Sequence, residues 1–378
     1  MNISKQQTAV VIGAGIVGLA SARALSEKGY RVTVYDRHPK AIGASIRNFG
    51  MVWPVGQPPG EAYRWAIRSR DIWKDICTKA GIWHEQVGSL HLAYSEKELA
   101  VMEDYVAVYG NERDCSMLTP EQVAKKSVAA NPTGLKGALW SGEEVIVDPR
   151  EAIAEIAAYL DEQRGVTFKW NTTIGRISES TVYTGEGESQ QADLIVVCSG
   201  ADFETLFPEL YAASPITKCK LQMMRLVAQP DDWRIGPALC GGLSLLHYPS
   251  FRSAPSITAF REWAESEMRE HLEWGIHVMV SQQGTGELTI GDSHEYGRCP
   301  DPFDRQFINT LILDYLNNFT RFKDYRLQES WNGVYAKMTD GSNHLLAQPE
   351  ENVIILNALG GAGMTLSFGL AEQLFLTS

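Results

Sequence analysis

The fold is decided by a stretch that runs from Thr8 to Asp36, TAVVIGAGIVGLASARALSEKGYRVTVYD. Its apolar start, from Ala9 to Ile12, predicts a buried strand. A helical spacing of apolar residues follows and ends at Gly29, and alternating valines then predict a second short strand. Strand, helix and strand in this order predict a parallel βαβ unit.

Three glycines occupy the turn between the first strand and the helix. Gly13 allows the tight turn, Gly15 lets a pyrophosphate approach the backbone, and Gly18 lets the helix lie close to the strand. A pyrophosphate would then sit at the positive N-terminus of the helix. Asp36, which ends the second strand, is placed to accept hydrogen bonds from a ribose hydroxyl. The stretch predicts a dinucleotide site, and the alternative is an ordinary βαβ turn that binds no nucleotide.

Composition narrows the class of partner and the compartment. The 378 residues carry a net charge of −12, which argues against nucleic acid and against an anionic membrane surface as partners. The six cysteines show no CxxC and no metal-ligand spacing, so we expect reduced thiols in a cytoplasmic protein, and no metal site. A polar tail precedes the first strand and no apolar run is long enough to span a bilayer, so neither a signal peptide nor a membrane span is expected.

Periodicity and capping residues place the other elements. Helices are predicted over 61–79, over 95–109 with Ser95 as N-cap, over 150–163 after the cap Asp148, and over 304–318. Strands are predicted over 88–94, 137–147 (a pair), 192–198, 222–228, 276–282, 288–291 and 352–357. A glycine-rich turn follows the last strand, and a closing helix is expected from about Ser367.

The glycines near the C-terminus favour a flavin over a nicotinamide. Because Gly360 to Gly363 lie between an apolar strand and the closing helix, they open the helix N-terminus. Its N–H groups and positive dipole end would stabilise the negative charge that a reduced flavin carries at its N1–C2=O edge. A nicotinamide ring gains no such charge, and Ser199-Gly200-Ala201 does not continue as a second GxGxxG. The alternative is a turn needed only for packing.

These elements together resemble the D-amino-acid oxidase-like family of FAD-dependent oxidoreductases, which includes glycine oxidase, sarcosine oxidase and D-amino-acid dehydrogenase. The resemblance covers nearly the whole chain. It rests on the following motifs, in order: Gly13-Ala14-Gly15-Ile16-Val17-Gly18, Gly43-Ala44-Ser45-Ile46-Arg47-Asn48-Phe49-Gly50, Val147-Asp148-Pro149, Asp193 to Ala201, Ile290-Gly291-Asp292, Trp331-Asn332-Gly333 and Gly360-Gly361-Ala362-Gly363-Met364-Thr365. The stretches 47–57 and 364–369 further resemble a branch associated with aminophosphonate catabolism.

The resemblance implies a fold and a cofactor. It implies an α/β fold in which an FAD-binding Rossmann-like domain (1–80, 145–215 and 329–378) is interwoven with a mixed or antiparallel-sheet substrate domain (81–144 and 216–328). FAD is expected to be non-covalent, since no cysteine or histidine is clearly placed for a covalent link. The implied cofactor-binding residues are Gly13, Ala14, Gly15, Ile16, Val17, Gly18, Asp36, Arg37, Ala44, Ser45, Asn48, Phe49, Gly50, Met51, Ser199, Gly200, Gly360, Gly361, Ala362, Gly363, Met364 and Thr365.

One departure from the family pattern concerns the substrate. Where many relatives carry an arginine for an α-carboxylate, this chain has Tyr335, with Lys337 two residues on. A lysine is a point charge that suits a tetrahedral phosphonate, whereas the arginine fork suits a planar carboxylate. The alternative is that Lys337 is an exposed surface lysine. His247 and Tyr248 are the other candidate catalytic residues, and the alternative for each is a packed core residue.

The resulting hypothesis is an enzyme that oxidises the C–N bond of a small amine, by oxidative deamination or N-demethylation, with hydride transfer to flavin N5. A short aminophosphonate is the favoured substrate, and glycine, sarcosine or a D-amino acid is the alternative. Oxygen or another electron acceptor would reoxidise the flavin. Two further alternatives are a protein whose flavin serves only structure or protein partners, and a nicotinamide-dependent dehydrogenase or monooxygenase.

Overall fold

The computed structural model describes residues 6–377, so the polar tail of residues 1–5 lies outside the described residues. Its strands, in chain order, are β1 (Thr8–Ile12), β2 (Arg31–Tyr35), β3 (Met51–Val52), β4 (His84–Glu85), β5 (Ser89–Ala93), β6 (Cys115–Leu118), β7 (Gly137–Ser141), β8 (Val145–Val147), β9 (Thr167–Lys169), β10 (Ile174–Ser178), β11 (Thr181–Thr184), β12 (Ser189–Gln191), β13 (Leu194–Val197), β14 (Ile216–Leu226), β15 (Ala238–Cys240), β16 (Met279–Gln282), β17 (Leu288–Gly291), β18 (Glu295–Gly297), β19 (Leu327–Met338), β20 (Leu345–Glu350) and β21 (Val353–Asn357).

The α-helices lie between these strands and after the last one. In chain order they are α1 (Ile16–Lys28), α2 (Glu61–Ala80), α3 (Glu96–Tyr109), α4 (Pro120–Lys126), α5 (Pro149–Arg164), α6 (Pro208–Ala213), α7 (Ser244–His247), α8 (Ile257–Glu267), α9 (Arg269–Glu273), α10 (Gln306–Phe319) and α11 (Gly363–Phe375). No described helix combines the length and the apolar character that crossing a bilayer requires.

A six-stranded sheet carries the first βαβ unit. Its order is β20-β21-β13-β1-β2-β9, and every neighbouring pair is parallel except β20 with β21. Strand β1 lies between β2 and β13, and its residues Ala9, Val10 and Val11 have no exposed surface. Helices α1, α2, α5 and α11 pack together beside it in one apolar core. The predicted Rossmann-like arrangement is confirmed.

A second, nine-stranded sheet supplies the other half of the fold. It contains β5, β6, β7, β14 to β19, and its pairs are antiparallel except that β15 runs parallel to β5. The long strands β14 and β19 pair along almost their whole length. This is the predicted mixed sheet, so the predicted fold class is confirmed. The domain boundaries stay a prediction. Strand β19 begins before the predicted boundary at 329 and remains paired in this sheet beyond it.

Local capping signals hold in detail, and several boundaries differ: β14 begins at Ile216 rather than at 222, and β16 begins at Met279 rather than at 276. Ser95 caps α3 in a reciprocal capping box with Glu98, and the Asp148 side chain caps α5. The closing helix starts at Gly363 rather than near Ser367. Gly363 has right-handed helical angles (φ −53°, ψ −49°), so it begins the helix directly after a 3₁₀ turn over Gly360–Ala362.

A buried carboxyl group couples this fold to pH. Glu144 is fully buried and accepts hydrogen bonds from the Val55 N–H and the Ser89 hydroxyl. Burial raises the pKa of this carboxyl from 4.5 to about 7. Between those values the folded protein keeps a proton that the unfolded chain has lost, so the free energy of unfolding falls as pH rises through this window.

We expect Glu144→Gln to remove this pH dependence. The wild-type free energy of unfolding, relative to Glu144→Gln, should fall by about 2–3 kcal/mol between about pH 5 and about pH 8. Urea unfolding of both proteins at the two pH values measures the difference. Substitution of the exposed Glu103 by Gln is the control. A difference between wild type and Glu144→Gln that is the same at both pH values would contradict the prediction.

Candidate active site

One large cavity, of about 650 Å³, lies between the two sheets. Ile12 and Cys198, just at and beyond the carboxyl ends of β1 and β13, line it from the six-stranded sheet. Leu221, Met223 and Tyr335 line it from the nine-stranded sheet. A crevice at the carboxyl ends of parallel strands is the usual ligand site of such sheets.

The glycine turn after β1 is tightly packed. Gly13 has φ +105°, and a Cβ added there would lie 2.3 Å from the Cys198 carbonyl oxygen. A Cβ added at Gly18 would lie 1.8 Å from the Gly13 carbonyl oxygen, so the helix approaches the turn as closely as the sequence predicts. The Asp36 carboxylate accepts hydrogen bonds from the Ala14 N–H (2.8 Å) and the His38 N–H (2.9 Å). Asp36 therefore lies at the mouth of this turn with its carboxylate already oriented.

The loop after β2 closes over the start of α1. The Ser45 hydroxyl accepts a hydrogen bond from the Ile16 N–H at 2.9 Å, which satisfies one of the open donors of the helix N-terminus. Asn48 ties the loop to itself, since its side chain donates to the Ala44 and Ser45 carbonyls and accepts from the Gly50 N–H. Asn48 therefore fixes the loop that lines the cavity.

The N-terminus of α11 opens onto the same cavity. Gly360 has φ +61°, and Gly361 and Gly363 line the cavity beside it. The Thr365 hydroxyl accepts a hydrogen bond from the Trp53 N–H at 2.9 Å, which anchors the loop after β3 to the helix. The first turn of α11 thus presents a positive dipole end to the cavity.

Two cations line the cavity, one on β19 and one in the loop after α7. The Lys337 ammonium donates to the Tyr296 hydroxyl (3.1 Å), and its side chain passes Gly360. Burial and the nearby Arg252 lower the pKa of Lys337. Arg252 is exposed to solvent and also lines the cavity. Among the described residues neither cation forms an ion pair with a carboxylate, so the pair is available to an anionic group.

A cluster of histidines lies beside these cations. The rings of His247, His277 and His294 have centroids 3.8 to 5.1 Å apart, and all three line the cavity together with Asp292. Burial lowers the pKa of each histidine, to about 4 for His294, so the three imidazoles are neutral at pH 7. Tyr248 packs edge-on against His247 and donates its hydroxyl to the Met279 sulfur. Burial raises the pKa of Tyr248, which keeps the phenol protonated.

The structure brings most of the predicted site residues to this one cavity. All four candidate catalytic residues line it, as do the predicted cofactor-binding residues except Ala14, Gly18 and Gly50. Those three shape the cavity from behind: an added Cβ at Gly50, for example, would lie 1.9 Å from the Val147 carbonyl oxygen. The assigned roles stay predictions.

Sequence reasoning gave no role to Arg252 or to Asp292. Arg252 follows His247 and Tyr248 closely in sequence, but nothing in its neighbours indicates that it faces a cavity. Asp292 stands in a motif that supports only the family resemblance. The positions of both depend on contacts between distant strands and loops.

Comparisons with known proteins agree on one family. The family model described as FAD dependent oxidoreductase matches residues 8–375. A subunit of the opine oxidase of Agrobacterium tumefaciens (strain Ach5) is 23% identical over 349 residues, which cover 88% of this chain and 82% of that protein. D-amino acid dehydrogenase of Vibrio vulnificus (strain YJ016) is 25% identical over 428 residues, with 97% and 94% covered. The crystal structure of L-proline dehydrogenase from P. horikoshii superposes with a TM-score of 0.77 at 21% identity, over 97% of this chain and 91% of that one.

Proposed function

Because the chain belongs to the family of FAD-dependent oxidoreductases, whose model matches residues 8–375, we propose that it oxidises the C–N bond of a small amine that carries an anionic group. The protein is an FAD-dependent oxidoreductase. The relatives named above, an opine oxidase and a D-amino acid dehydrogenase, support an amine or amino acid as substrate. The substrate class and the roles of individual residues are the proposed part.

The residues around the cavity fit FAD. Gly13 and Gly15 line the cavity, where a diphosphate can approach their backbone, and Asp36 lies where a ribose hydroxyl can donate to its remaining lone pairs. The α11 N-terminus, at Gly361 and Gly363, offers its positive end to the pyrimidine edge of the flavin. FAD held by these residues would supply the oxidising chemistry, which is acceptance of a hydride equivalent from the carbon next to the amine nitrogen. A nicotinamide-dependent enzyme that also binds FAD would need a second GxGxxG motif, and the sequence has none after Ser199-Gly200-Ala201.

The observation that carries the proposed substrate class is the pair of cations without carboxylate partners among the described residues. Lys337 and Arg252 line the cavity on the side of the nine-stranded sheet, next to neutral histidines. A substrate with an anionic head group would pair with them and hold its amine end toward the flavin. Such a charge-assisted contact is worth about 1.5–3 kcal/mol.

Within this class a short aminophosphonate is the first candidate. Lys337 is a point charge that tolerates a tetrahedral anion, and Tyr335 stands where many relatives of the family carry an arginine. An amino acid such as glycine, sarcosine or a D-amino acid is the second candidate. It is favoured by the names of the relatives and by Arg252, whose guanidinium can pair with a planar carboxylate.

The chain's own residues contribute binding and orientation rather than strong acid–base catalysis. The neutral histidines and the protonated Tyr248 form a low-polarity wall that favours a neutral amine over an ammonium ion. The Thr365 contact with Trp53 holds the loop that covers the cavity. Orientation, exclusion of water and stabilisation of the charge on the reduced flavin are together sufficient for this type of reaction.

Anaerobic bleaching of the flavin absorbance tests the proposal. The panel contains 2-aminoethylphosphonate, its N-methyl form, glycine, sarcosine, several D-amino acids and a neutral amine of the same length. We expect fast bleaching by at least one anionic amine and slow bleaching by the neutral amine. A phosphonate-only response selects the first candidate, and a carboxylate-only response selects the second. No bleaching by any anionic amine, or equal bleaching by the neutral amine, would overturn the proposal.

A further inference from the structure

The histidine cluster beside the cavity has open coordination positions. His277, Asp292 and His294 are at most 5% exposed, and His247, at the end of the short helix α7, is half-buried. One nitrogen from each of the three histidines lies within 4.8 Å of the other two. Nitrogens that share one tetrahedral zinc ion lie about 3.3 Å apart, so the three rings are close enough to converge on an ion only after they move inward.

Hydrogen bonds fix the free lone pair of His294. Its Nδ1 lies 2.9 Å from the Gly275 carbonyl oxygen, which can only accept, so Nδ1 carries the proton. The Nε2 of the neutral ring therefore carries a lone pair. A histidine that donates one N–H to a backbone carbonyl and offers the other nitrogen is the usual arrangement of a metal ligand.

His277 and Asp292 have buried polar atoms without partners. Both ring nitrogens of His277 and Oδ1 of Asp292 make no hydrogen bond within the described part of the chain, although His277 Nε2 lies 3.2 Å from Asp292 Oδ1. An unsatisfied buried polar atom costs about 1–3 kcal/mol. Because a neutral imidazole has one N–H and one lone pair, one lone pair of His277 lacks a partner at this place in addition to Oδ1 of Asp292, and a cation could pair with both.

We propose that His247, His277 and His294 form a binding site for one divalent transition-metal cation of the zinc type, with Asp292 as the adjacent carboxylate. A cation fits better than an anion, because an anion needs donors and the free nitrogen of His294 is an acceptor in the neutral ring. Three imidazoles and one carboxylate oxygen are also a donor set that zinc prefers.

Binding requires one movement. The rings of His247 and His277 have centroids only 3.8 Å apart, closer than two imidazoles on one ion. His247 is the half-buried member on a four-residue helix, so it is the ring that can turn. Lys337 and Arg252 oppose a further positive charge in this cavity. Burial also raises the pKa of the Asp292 carboxyl, so an ion that uses this group as a ligand displaces its proton. If the proposed substrate class is right, its anionic group would occupy the open position of the ion.

The sequence predicted no metal site because these histidines are far apart along the chain. His277 and Asp292 come together because Met279 of β16 pairs with Gly291 of β17, and backbone hydrogen bonds in both directions join His277 to Asp292. No local spacing motif can show this arrangement.

Metal titration of the FAD-loaded protein tests the proposal without any substrate. The protein carries Cys299→Ser, which removes the exposed thiol, and it is titrated with Zn²⁺ by calorimetry and with Co²⁺ by absorbance at wavelengths beyond the flavin band. We expect one ion per chain and a tetrahedral Co²⁺ spectrum. His277→Gln and His294→Gln should each weaken binding at least about 100-fold, and Asp292→Asn about 10–100-fold. Lys337→Met should tighten binding, because it removes an opposing charge.

The matched control is His84→Gln, a half-buried histidine outside the cavity, which should bind as wild type. Flavin retention and circular dichroism report whether each variant folds. If the buried variants do not fold, metal binding by His247→Gln and the Co²⁺ spectrum of the wild type show whether the histidines are the ligands. Absence of stoichiometric binding in the wild type, or unchanged binding in a folded histidine variant, would overturn the proposal. Binding of inorganic phosphate instead of metal, lost in the same variants, would identify an anion site and also overturn it. Failure of amine turnover would leave this result unaffected.

Discussion

Gly13→Ala is expected to abolish retention of FAD and to lower the free energy of unfolding by more than about 4 kcal/mol. Gly13 has φ +105°, and an added Cβ would lie 2.3 Å from the Cys198 carbonyl oxygen. That oxygen cannot retreat easily, because the Cys198 N–H donates to the Ile12 carbonyl and β13 is paired along β1. The clash therefore separates the two central strands or displaces the turn that lines the cavity.

Gly29→Ala is the matched control. Gly29 follows the same helix at φ +98°, and nothing lies within 4 Å of an added Cβ. In Gly29→Ala the free energy of unfolding should therefore fall only by the cost of a left-handed conformation, about 1–2 kcal/mol, and the variant should keep its flavin. The ratio of flavin to protein absorbance after gel filtration, with urea unfolding, measures both effects. Equal behaviour of the two variants would show that the close approach at Cys198 is not what excludes a side chain.

The parts of the fold that the sequence predicted are those with local causes. The first βαβ unit follows from an apolar run, three glycines and a helix period within 29 residues. Ser95 and Asp148 were identified as caps from side chains that bond to the backbone within three residues. Interactions of this range are encoded in the order of the residues, so they can be predicted without knowledge of the tertiary structure.

The parts that could not be predicted depend on long-range pairing. Strands β14 and β19 are about a hundred residues apart in sequence, and their pairing brings Tyr335 opposite Cys219 and Lys337 opposite Thr217. This register places Lys337 at the cavity wall, whereas its sequence neighbourhood was equally compatible with a surface lysine. Arg252 reaches the same wall from the loop after α7. The glycines that precede α11 were identified, but the right-handed helical angles of Gly363 were not predicted, because glycine permits many conformations.

The histidine cluster shows the same limit at a single site. Sequence reasoning gave His247 a catalytic role beside Tyr248, while its partners His277 and His294 lie in the segments that precede β16 and β18. Burial then sets the chemistry, since it lowers the pKa of all three histidines. The sequence alone does not show whether these histidines are charged or neutral, because that depends on their burial in the folded protein.

The combined substitution of Lys337 and Arg252 by Met should cause the largest loss of activity short of losing the flavin. Lys337→Met alone removes one charge-assisted contact with an anionic substrate, which is worth about 1.5–3 kcal/mol or about 10–150-fold in kcat/KM. Adding Arg252→Met should cost at least about a further tenfold, since no described carboxylate pairs with either cation and the Lys337 ammonium donates to a neutral hydroxyl, that of Tyr296.

A comparison of kcat/KM for the anionic amines with kcat/KM for the neutral amine shows whether these cations act on the substrate. Both variants should keep their FAD, and kcat/KM for the neutral amine of the panel should change by less than about threefold, because that amine has no group to pair with a cation. Lys323→Met, at an exposed lysine outside the cavity, is the matched control. If the neutral and anionic amines lost activity equally, Lys337 would serve the flavin next to Gly360 rather than the substrate. If only the anionic amines lost activity, the two cations would be the groups that select the substrate by its charge, and their positions on β19 and in the loop after α7 would explain why no sequence motif reveals the pair.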